Sequence, residues 1–322
     1  SLFFLGLFFS LVSTSLIASD KLNTNSYYFF IKHLVFIIIG IFLLISFSFI
    51  EQKKLFQISK LLFIIFFVFL ILVPFTGIEV KGSRRWIGLP SPFPNFQPVE
   101  LLKPFFIITI ASIISFEKNK KLYFNYFLSF TVLIPIVFLL TMQPDIGQSI
   151  LILFTWLALI FVSGINLIIF FSSFVFIGVI ISYLVFYVSK FAYIKNRILS
   201  FIDPNSGGNY QSEKASEAIV NGGFFGKGIG EGTLNSKIPE AHTDYIVSVI
   251  SEEFGVLFII MLMIIFLFFV YQVFKKLYSE ENNQIKLILV GSISIILLQT
   301  LIHIGVNIRL FPTTGMTLPF IS

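Results

Sequence analysis

Three carboxylates crowd one junction of this chain. In IPEAHTDYIVSVISEEFG, residues 238–255, Asp244 stands where a polar loop meets an apolar run, and Glu252 and Glu253 follow inside that run. A carboxylate carried to the middle of a bilayer costs roughly 3 kcal/mol on insertion scales, so acids placed this way are candidates for function. Asp244 follows Pro239, a helix breaker, and two roles are open to it. It can cap the free N–H groups of a starting helix, where the dipole also favours an anion; or Thr243 can supply the cap and leave Asp244 for chemistry. The spacing 244, 248, 252 sets Glu252 two turns deeper on the same face, with Glu253 rotated by about 100°. Glu252 and Glu253 therefore read as structural supports, buried against cationic or hydroxyl partners on neighbouring helices.

Other chemistry-bearing residues lie at segment ends. FQPVELLKP puts Glu100 and Lys103 at i and i+3, a spacing that brings their side chains together. MQPDIGQ is too short for a soluble loop, so Pro144 and Asp145 read as a tight turn, with Asp145 as a cap. Lys81, Arg84 and Arg85 crowd the loop KGSRRWIGLPSPFPNFQPVE, and Lys195 and Arg197 open a longer one. Trp86, in the first of these, is either an interfacial anchor or a lining residue. GGFFGKGIGEG invites a nucleotide reading, but it lacks a preceding strand and the Lys-Ser/Thr pair of a P-loop. Its glycines instead permit sharp turns and close backbone approach, after an amphipathic stretch, YQSEKASEAIVNGG, suited to a membrane surface. His242 and His303 have no partners at metal-ligand spacing. The absence of Cys excludes disulfides, thiolate nucleophiles and Cys-ligated metals.

The elements that must position these groups are helices in a bilayer. Of 322 residues, 57% are hydrophobic, 44 are Phe and only 12% are charged, against about 25% in soluble domains; the mean hydropathy is +0.96. A span needs about 20 mostly apolar residues. Nine segments meet or approach that length: 1–18, 30–50, 60–78, 99–116, 125–141, 147–164, 167–189, 246–274 and 285–306. Each is predicted helical, because lipid satisfies no open backbone. The fold class is thus all-α, a polytopic transmembrane helical bundle. Three Lys-rich connectors, EQKKLFQISK, EKNKK and KKLYSEENNQIK, fall on one side by alternate counting, which makes that side cytoplasmic. The acids and arginines above then lie on the outer side, and residues 190–243 form one large extracytoplasmic loop within a single membrane domain, 1–322. The first residues, SLFFLGLFFS, read as the remainder of a spanning helix and not as a cleavable signal, and both ends read as cut.

Taken together, GSRRWIGL, FQPVELLKP, MQPDIGQ, RILSFIDP, GGFFGKGIGEG, IPEAHTDYIVSVISEEFG and NIRLFPTTGMTLPFIS resemble, in order and spacing, the motifs of the SEDS family of shape, elongation, division and sporulation proteins. The likeness covers nearly the whole chain, and PEAHTD followed by EEFG is its most specific part. The closing PTTGMTLPFIS is similar to the division branch, where the elongation branch reads closer to PVVGVPLP. The chain departs from the pattern at Val99, where Ser is usual, at His303, where Asn is common, and at Arg309, where Gly is common. The resemblance implies ten spanning helices with both termini cytoplasmic, of which about nine are present here.

It also implies a function: polymerisation of lipid II into β-1,4 glycan strands at the outer face of the bacterial cytoplasmic (inner) membrane, with release of undecaprenyl pyrophosphate. An acceptor hydroxyl needs a base within hydrogen-bond reach, and Asp244 matches the family's essential loop-to-helix aspartate. The pyrophosphate needs cations where its charge develops, for which Arg84, Arg85, Lys103 and Arg197 are available. Trp86, His242 and Thr243 are expected to line the substrate path, and Glu100, Asp145, Glu252 and Glu253 to support it. A divalent cation, Mg or Mn, would help neutralise the diphosphate, although no dedicated metal site is visible. Expected partners are lipid II, the undecaprenyl-pyrophosphate-linked glycan, a class B penicillin-binding protein transpeptidase, other divisome membrane proteins and membrane lipids, with no nucleic acid. The alternatives are an elongation-type polymerase and a flippase or transporter of the lipid-linked precursor, for which intramembrane charge is equally expected.

Overall fold

A computed structural model of the chain describes residues 2–14, 27–80, 83–90, 95–116, 122–203, 210–234, 237–238, 240–241 and 243–322. Each of the nine apolar segments carries helix. In chain order these are α1 (Leu2–Phe9, continued by a π-helical turn at Ser10–Thr14), α2 (Tyr28–Ser48), α3 (Gln52–Thr76), α4 (Pro98–Ile114), α5 (Leu122–Met142), α6 (Ile146–Val162) and α7 (Leu167–Tyr187). After a 3-10 turn follow α8 (Ala192–Ile202), α9 (Tyr210–Gly222), α10 (Ile246–Phe254), α11 (Val256–Ser279) and α12 (Asn283–Asn307). Among the described residues, six helices are long and apolar enough to cross a membrane: Phe30–Ser48, α3, α5, α7, α11 and α12. Helices α4 and α6, with 17 residues each, are shorter.

The predicted segment 246–274 is not one helix. It breaks at Gly255, whose φ of 84° lies in the left-handed region, so the acids do not sit in the entry turns of a long span. Glu252 and Glu253 end a separate nine-residue helix, α10, and Asp244 precedes it. The only strands among the described residues are β1 (Ile78–Val80) and β2 (Ser83–Trp86), an antiparallel hairpin carrying the arginines.

The chain divides into two compact units, each assembled from separate stretches of sequence. One comprises 50–194 and 273–298, the other 1–49, 195–272 and 299–322. The first is built around α3–α6, with Leu70, Leu102, Phe106, Ile110, Leu133, Ile136, Ile152 and Leu159 in its core. Helices within lipid find no hydrophobic drive toward one another, so small residues and polar contacts specify the packing. Accordingly Trp156 donates its indole N–H to Ser129 Oγ at 3.0 Å, Gln284 donates to Ser112 Oγ at 2.7 Å, and Gly291 lets Ile107 approach the α12 backbone.

The second unit centres on α10, which is buried along nearly its whole length. Helix α9 buries Ser212, Ala215, Ala218 and Gly222, and the two alanines share a cluster with Tyr245, Val249 and Val306. Phe9 packs edge-on against Phe254 and Phe258 at ring separations of 5.6 and 5.4 Å.

Candidate active site

In the unit formed by 50–194 and 273–298, six side chains interlock. Strand β2 alternates its residues between two sides, so Arg84 is exposed and pairs with Glu79 at 3.5 Å, while Arg85 turns inward. Arg85 lies 3.7 Å from Asp145 Oδ1, and its guanidinium also donates to the carbonyls of Gln143, at 3.3 Å, and Pro144. Asp145 caps α6, accepting from the Gln148 N–H, and takes a 2.8 Å bond from the Gln97 side chain. The Gln148 amide donates to Glu100 at 2.6 Å, and Glu100 pairs with the buried Lys103 at 2.7 Å. Arg85, Gln97, Glu100, Lys103, Asp145 and Gln148 thus form one chain of contacts joining the hairpin, α4 and the α5–α6 turn. Trp86 points to the exposed side of β2.

Asp145 is 2% exposed. Burial pushes its carboxyl pKa above the ordinary aspartate value, and the Arg85 charge is the strongest influence pulling it back. The folded protein therefore holds this proton more tightly than the unfolded chain. Its contribution to stability is full below the unfolded pKa and is lost as pH rises through the window up to the raised value. Arg85→Ala removes the opposing charge and widens that window upward. The expected loss at neutral pH is about 2 kcal/mol, below that of breaking a fully buried pair, since Arg85 keeps 17% of its side-chain surface exposed. Melting temperature against pH, for wild type and Arg85→Ala, measures it; identical curves would contradict this account.

The other unit, 1–49, 195–272 and 299–322, holds Asp244. The residue is half-buried one position before Tyr245, the N-cap of α10. The N-cap side chain itself makes no bond into that helix. Thr243 Oγ bonds back to Glu240, and the cap comes from α12, where Asn307 Oδ1 accepts from the Ser248 N–H at 3.2 Å. Tyr245 is buried with its hydroxyl unpaired, and Asp244 and Arg197 both act on it electrostatically, raising and lowering its pKa beneath a larger upward push from burial. Arg197, on α8, and Asp244 thus share Tyr245 as an electrostatic neighbour.

Behind Asp244, α10 is held at both ends. One carboxylate oxygen of the fully buried Glu252 accepts three bonds, from Asn221 Nδ2 at 2.9 Å and from the backbone N–H groups of Thr233 and Leu234 at 3.0 Å each. These three donors are neutral. Glu253 is buried as well. The Gly-rich loop receives the carbonyl end of the helix: Lys227 N–H donates to Glu252 O at 2.9 Å and Gly228 N–H to Glu253 O at 3.1 Å. Gly226, at φ 81°, lies so close that a Cβ there would overlap the Glu253 carbonyl. Gly226→Ala combines a left-handed backbone with that overlap and is expected to cost about 2 kcal/mol or more, read as a lowered melting temperature of the purified protein; an unchanged value would contradict the close approach.

Along α9 runs an open groove of about 610 Å³ whose lining includes Glu213, Ser216, Asn221, Thr233 and Arg309. Arg309 adopts φ 58° and pairs with Glu213 at 3.6 Å. That backbone explains why glycine is common there in the resembling family. His303 is buried, its Nδ1 donating to the Met316 carbonyl at 2.8 Å. His242 lies outside the described residues, as do Pro239 and Lys81. Among the described residues no group of three or more His, Cys, Asp or Glu side chains could hold a metal ion.

The family model of the FtsW, RodA and SpoVE cell cycle proteins matches residues 1–322. The chain belongs to that family. It is 34% identical to the probable peptidoglycan glycosyltransferase FtsW of Coxiella burnetii, the match covering 100% of this chain and 88% of the relative. It is 33% identical to the same-named protein of Pseudomonas fluorescens, over 92% and 75%, and 32% identical to that of Caulobacter vibrioides, over 78% and 63%. The chain thus spans slightly under two thirds of the Caulobacter protein. Among solved structures, one described as showing structural coordination of polymerization and crosslinking by a peptidoglycan synthase complex superposes with a TM-score of 0.78 at 24% identity, covering 98% of this chain and 90% of that one. The crystal structure of the Thermus thermophilus rod shape determining protein RodA gives 0.66 at 21% identity, over 98% and 89%. The fold of this FtsW/RodA/SpoVE chain is that of an integral membrane protein, in keeping with its six long apolar helices.

The structure brings Arg85, Glu100, Lys103 and Asp145 together in one unit, and Arg197, Thr243, Asp244, Glu252 and Glu253 belong to the other. Sequence reasoning passed over Gln97, Gln148, Asn221, Ser248 and Asn307. For Asn307 a signal existed: Gln299, His303 and Asn307 recur every four residues in an apolar helix, and all three are buried. A polar stripe of that kind in a membrane helix marks a packed, bonded face.

Proposed function

We propose that this chain is a division-type peptidoglycan glycosyltransferase that polymerises lipid II at the outer face of the cytoplasmic membrane. The observation that carries the reading is Asp244, a half-buried acid at a loop-to-helix junction whose helix is bonded at its cap, along α9 and at its carbonyl end. A base placed by so many contacts loses little freedom when a substrate hydroxyl arrives.

In this mechanism the Asp244 carboxylate accepts the proton of the acceptor sugar's hydroxyl as its oxygen attacks the anomeric carbon of the growing chain. The bond to undecaprenyl pyrophosphate breaks with inversion, giving a β-1,4 link. Diphosphate leaves as a stable anion, so one carboxylate suffices where glycosidases need two. Arg197, in the same unit as this base and an electrostatic neighbour of the adjoining Tyr245, is assigned to the departing diphosphate, Arg suiting bidentate phosphate contact. Arg84, Arg85 and Lys103 carry the remaining positive charge on the hairpin and α4. Arg85 and Lys103 are held in protein ion pairs, which suits a fixed electrostatic field better than a mobile clamp. Trp86 is exposed enough to meet the lipid or sugar chain.

The names of the relatives, and the complex coordinating polymerization and crosslinking, support this reading and a transpeptidase partner of the class B penicillin-binding type. The test is lipid II in sealed vesicles carrying the full chain. Glycan polymer without net precursor translocation agrees with the proposal; translocation without polymer makes the chain a flippase instead.

A further inference from the structure

We infer that Asn307 is a positioning residue for Asp244, a helix cap supplied from another helix that also tethers the acid's own backbone. The inference rests on Asp244 being the base. The N-terminal amides of a helix need an acceptor, commonly the N-cap side chain bonding to the third helical residue. Tyr245, the N-cap of α10, makes no such bond. Asn307 fills that place from α12: its Oδ1 accepts from Ser248 N, the third residue of α10, at 3.2 Å and from Ser248 Oγ at 2.7 Å. The other half of the same amide donates to the main-chain carbonyls of Asp244 at 3.1 Å and His303 at 2.8 Å.

An amide offers two N–H donors and one oxygen with two lone pairs. All four are used here, in a side chain with no exposed surface. Two carbonyls demand donors and one backbone N–H demands an acceptor, so only one orientation of the amide satisfies the site. The consequence is geometric: the Asp244 carbonyl and the first turn of α10 are fixed to a single rigid group. Asp244 cannot shift along the helix axis without breaking its bond to Asn307. Since a displacement near 1 Å can cost about 10²-fold in rate, the amide acts on turnover through the place of the acid, and it does not touch substrate.

Asn307→Asp separates the two halves. It keeps an oxygen for Ser248 but has no donor for the Asp244 carbonyl. Asn307→Ala removes both. The experiment is steady-state lipid II polymerisation by the full chain with its transpeptidase partner, together with melting temperature and an Asp244→Asn control. We expect kcat per folded molecule to fall about 10- to 100-fold in both Asn307 variants, with KM within about twofold; both also melt below wild type, the Asp variant because a buried carboxylate replaces the donor to two carbonyls. A purely structural residue would lower the folded amount and leave kcat and KM per folded molecule unchanged. If Asn307→Ala does not fold, Asn307→Asp alone decides the matter. Wild-type kcat in Asn307→Asp, beside an inactive Asp244→Asn, overturns the positioning role and spares the base; an active Asp244→Asn removes the base and the positioning role with it.

Discussion

Glu252→Ala is expected to be the most destructive single change for the fold of the unit that carries Asp244. The substitution deletes the acceptor of three donors at once, the Asn221 amide and the Thr233 and Leu234 N–H groups, on a carboxylate that is itself fully buried behind the lining of the open groove. Each donor left unbonded in full burial costs about 1–3 kcal/mol, about 3–9 kcal/mol for three; water entering from the groove keeps the loss toward the lower end, still a large part of the stability of an ordinary domain. Glu252→Gln keeps an acceptor oxygen in place and is expected to lose far less, about 1–2 kcal/mol. The measurement is thermal unfolding in detergent, with membrane abundance as the cellular counterpart. Adding Asn221→Ala to Glu252→Ala should cost little more, because the two act through one bond. Equal melting temperatures for the Ala and Gln variants would contradict this assignment.

Asp244→Asn has the largest expected effect on chemistry. The two side chains are nearly isosteric, so packing is preserved, and the bond from Asn307 goes to the Asp244 main chain, which the substitution leaves untouched. What disappears is the ability to take a proton, a contribution of about 10²–10⁴-fold for a positioned general base. We expect kcat to fall by that factor at unchanged melting temperature. An Asp244→Asn protein that polymerises lipid II within tenfold of wild type would leave the acid with a structural role only.

Much of this architecture was legible because a bilayer leaves so few options. Every run of apolar residues had to close its backbone bonds internally, and each of the nine segments carries helix. The break at Gly255 was hidden by hydropathy, which stays high on both sides of it; its physical cause is local, a left-handed residue met by the Phe224 carbonyl of the Gly-rich loop. The i, i+3 pair of Glu100 and Lys103 was readable from spacing, since both sit on one helix. The contact of Arg85 with Asp145 was not: the two are 60 positions apart, and nothing in either motif names the other as partner. Glu252 reads from the sequence as a structural support, and three of its bonds come from an amide and two backbone N–H groups; backbone groups carry no sequence signature. Asp244 was found at once, because an acid at the border of an apolar run is costly and therefore conspicuous. The residue that holds its backbone, Asn307, stands just past the span read as 285–306 and opens the motif NIRLFPTTGMTLPFIS, where the spacing gave it no role.

The most direct test of the central claim is to supply purified lipid II to the full chain with its transpeptidase partner and examine the product. The account predicts a glycan ladder, degraded by a muramidase specific for β-1,4 links and absent with the Asp244→Asn chain. Unreacted lipid II with the wild-type protein, or a ladder of undiminished intensity from Asp244→Asn, would contradict it.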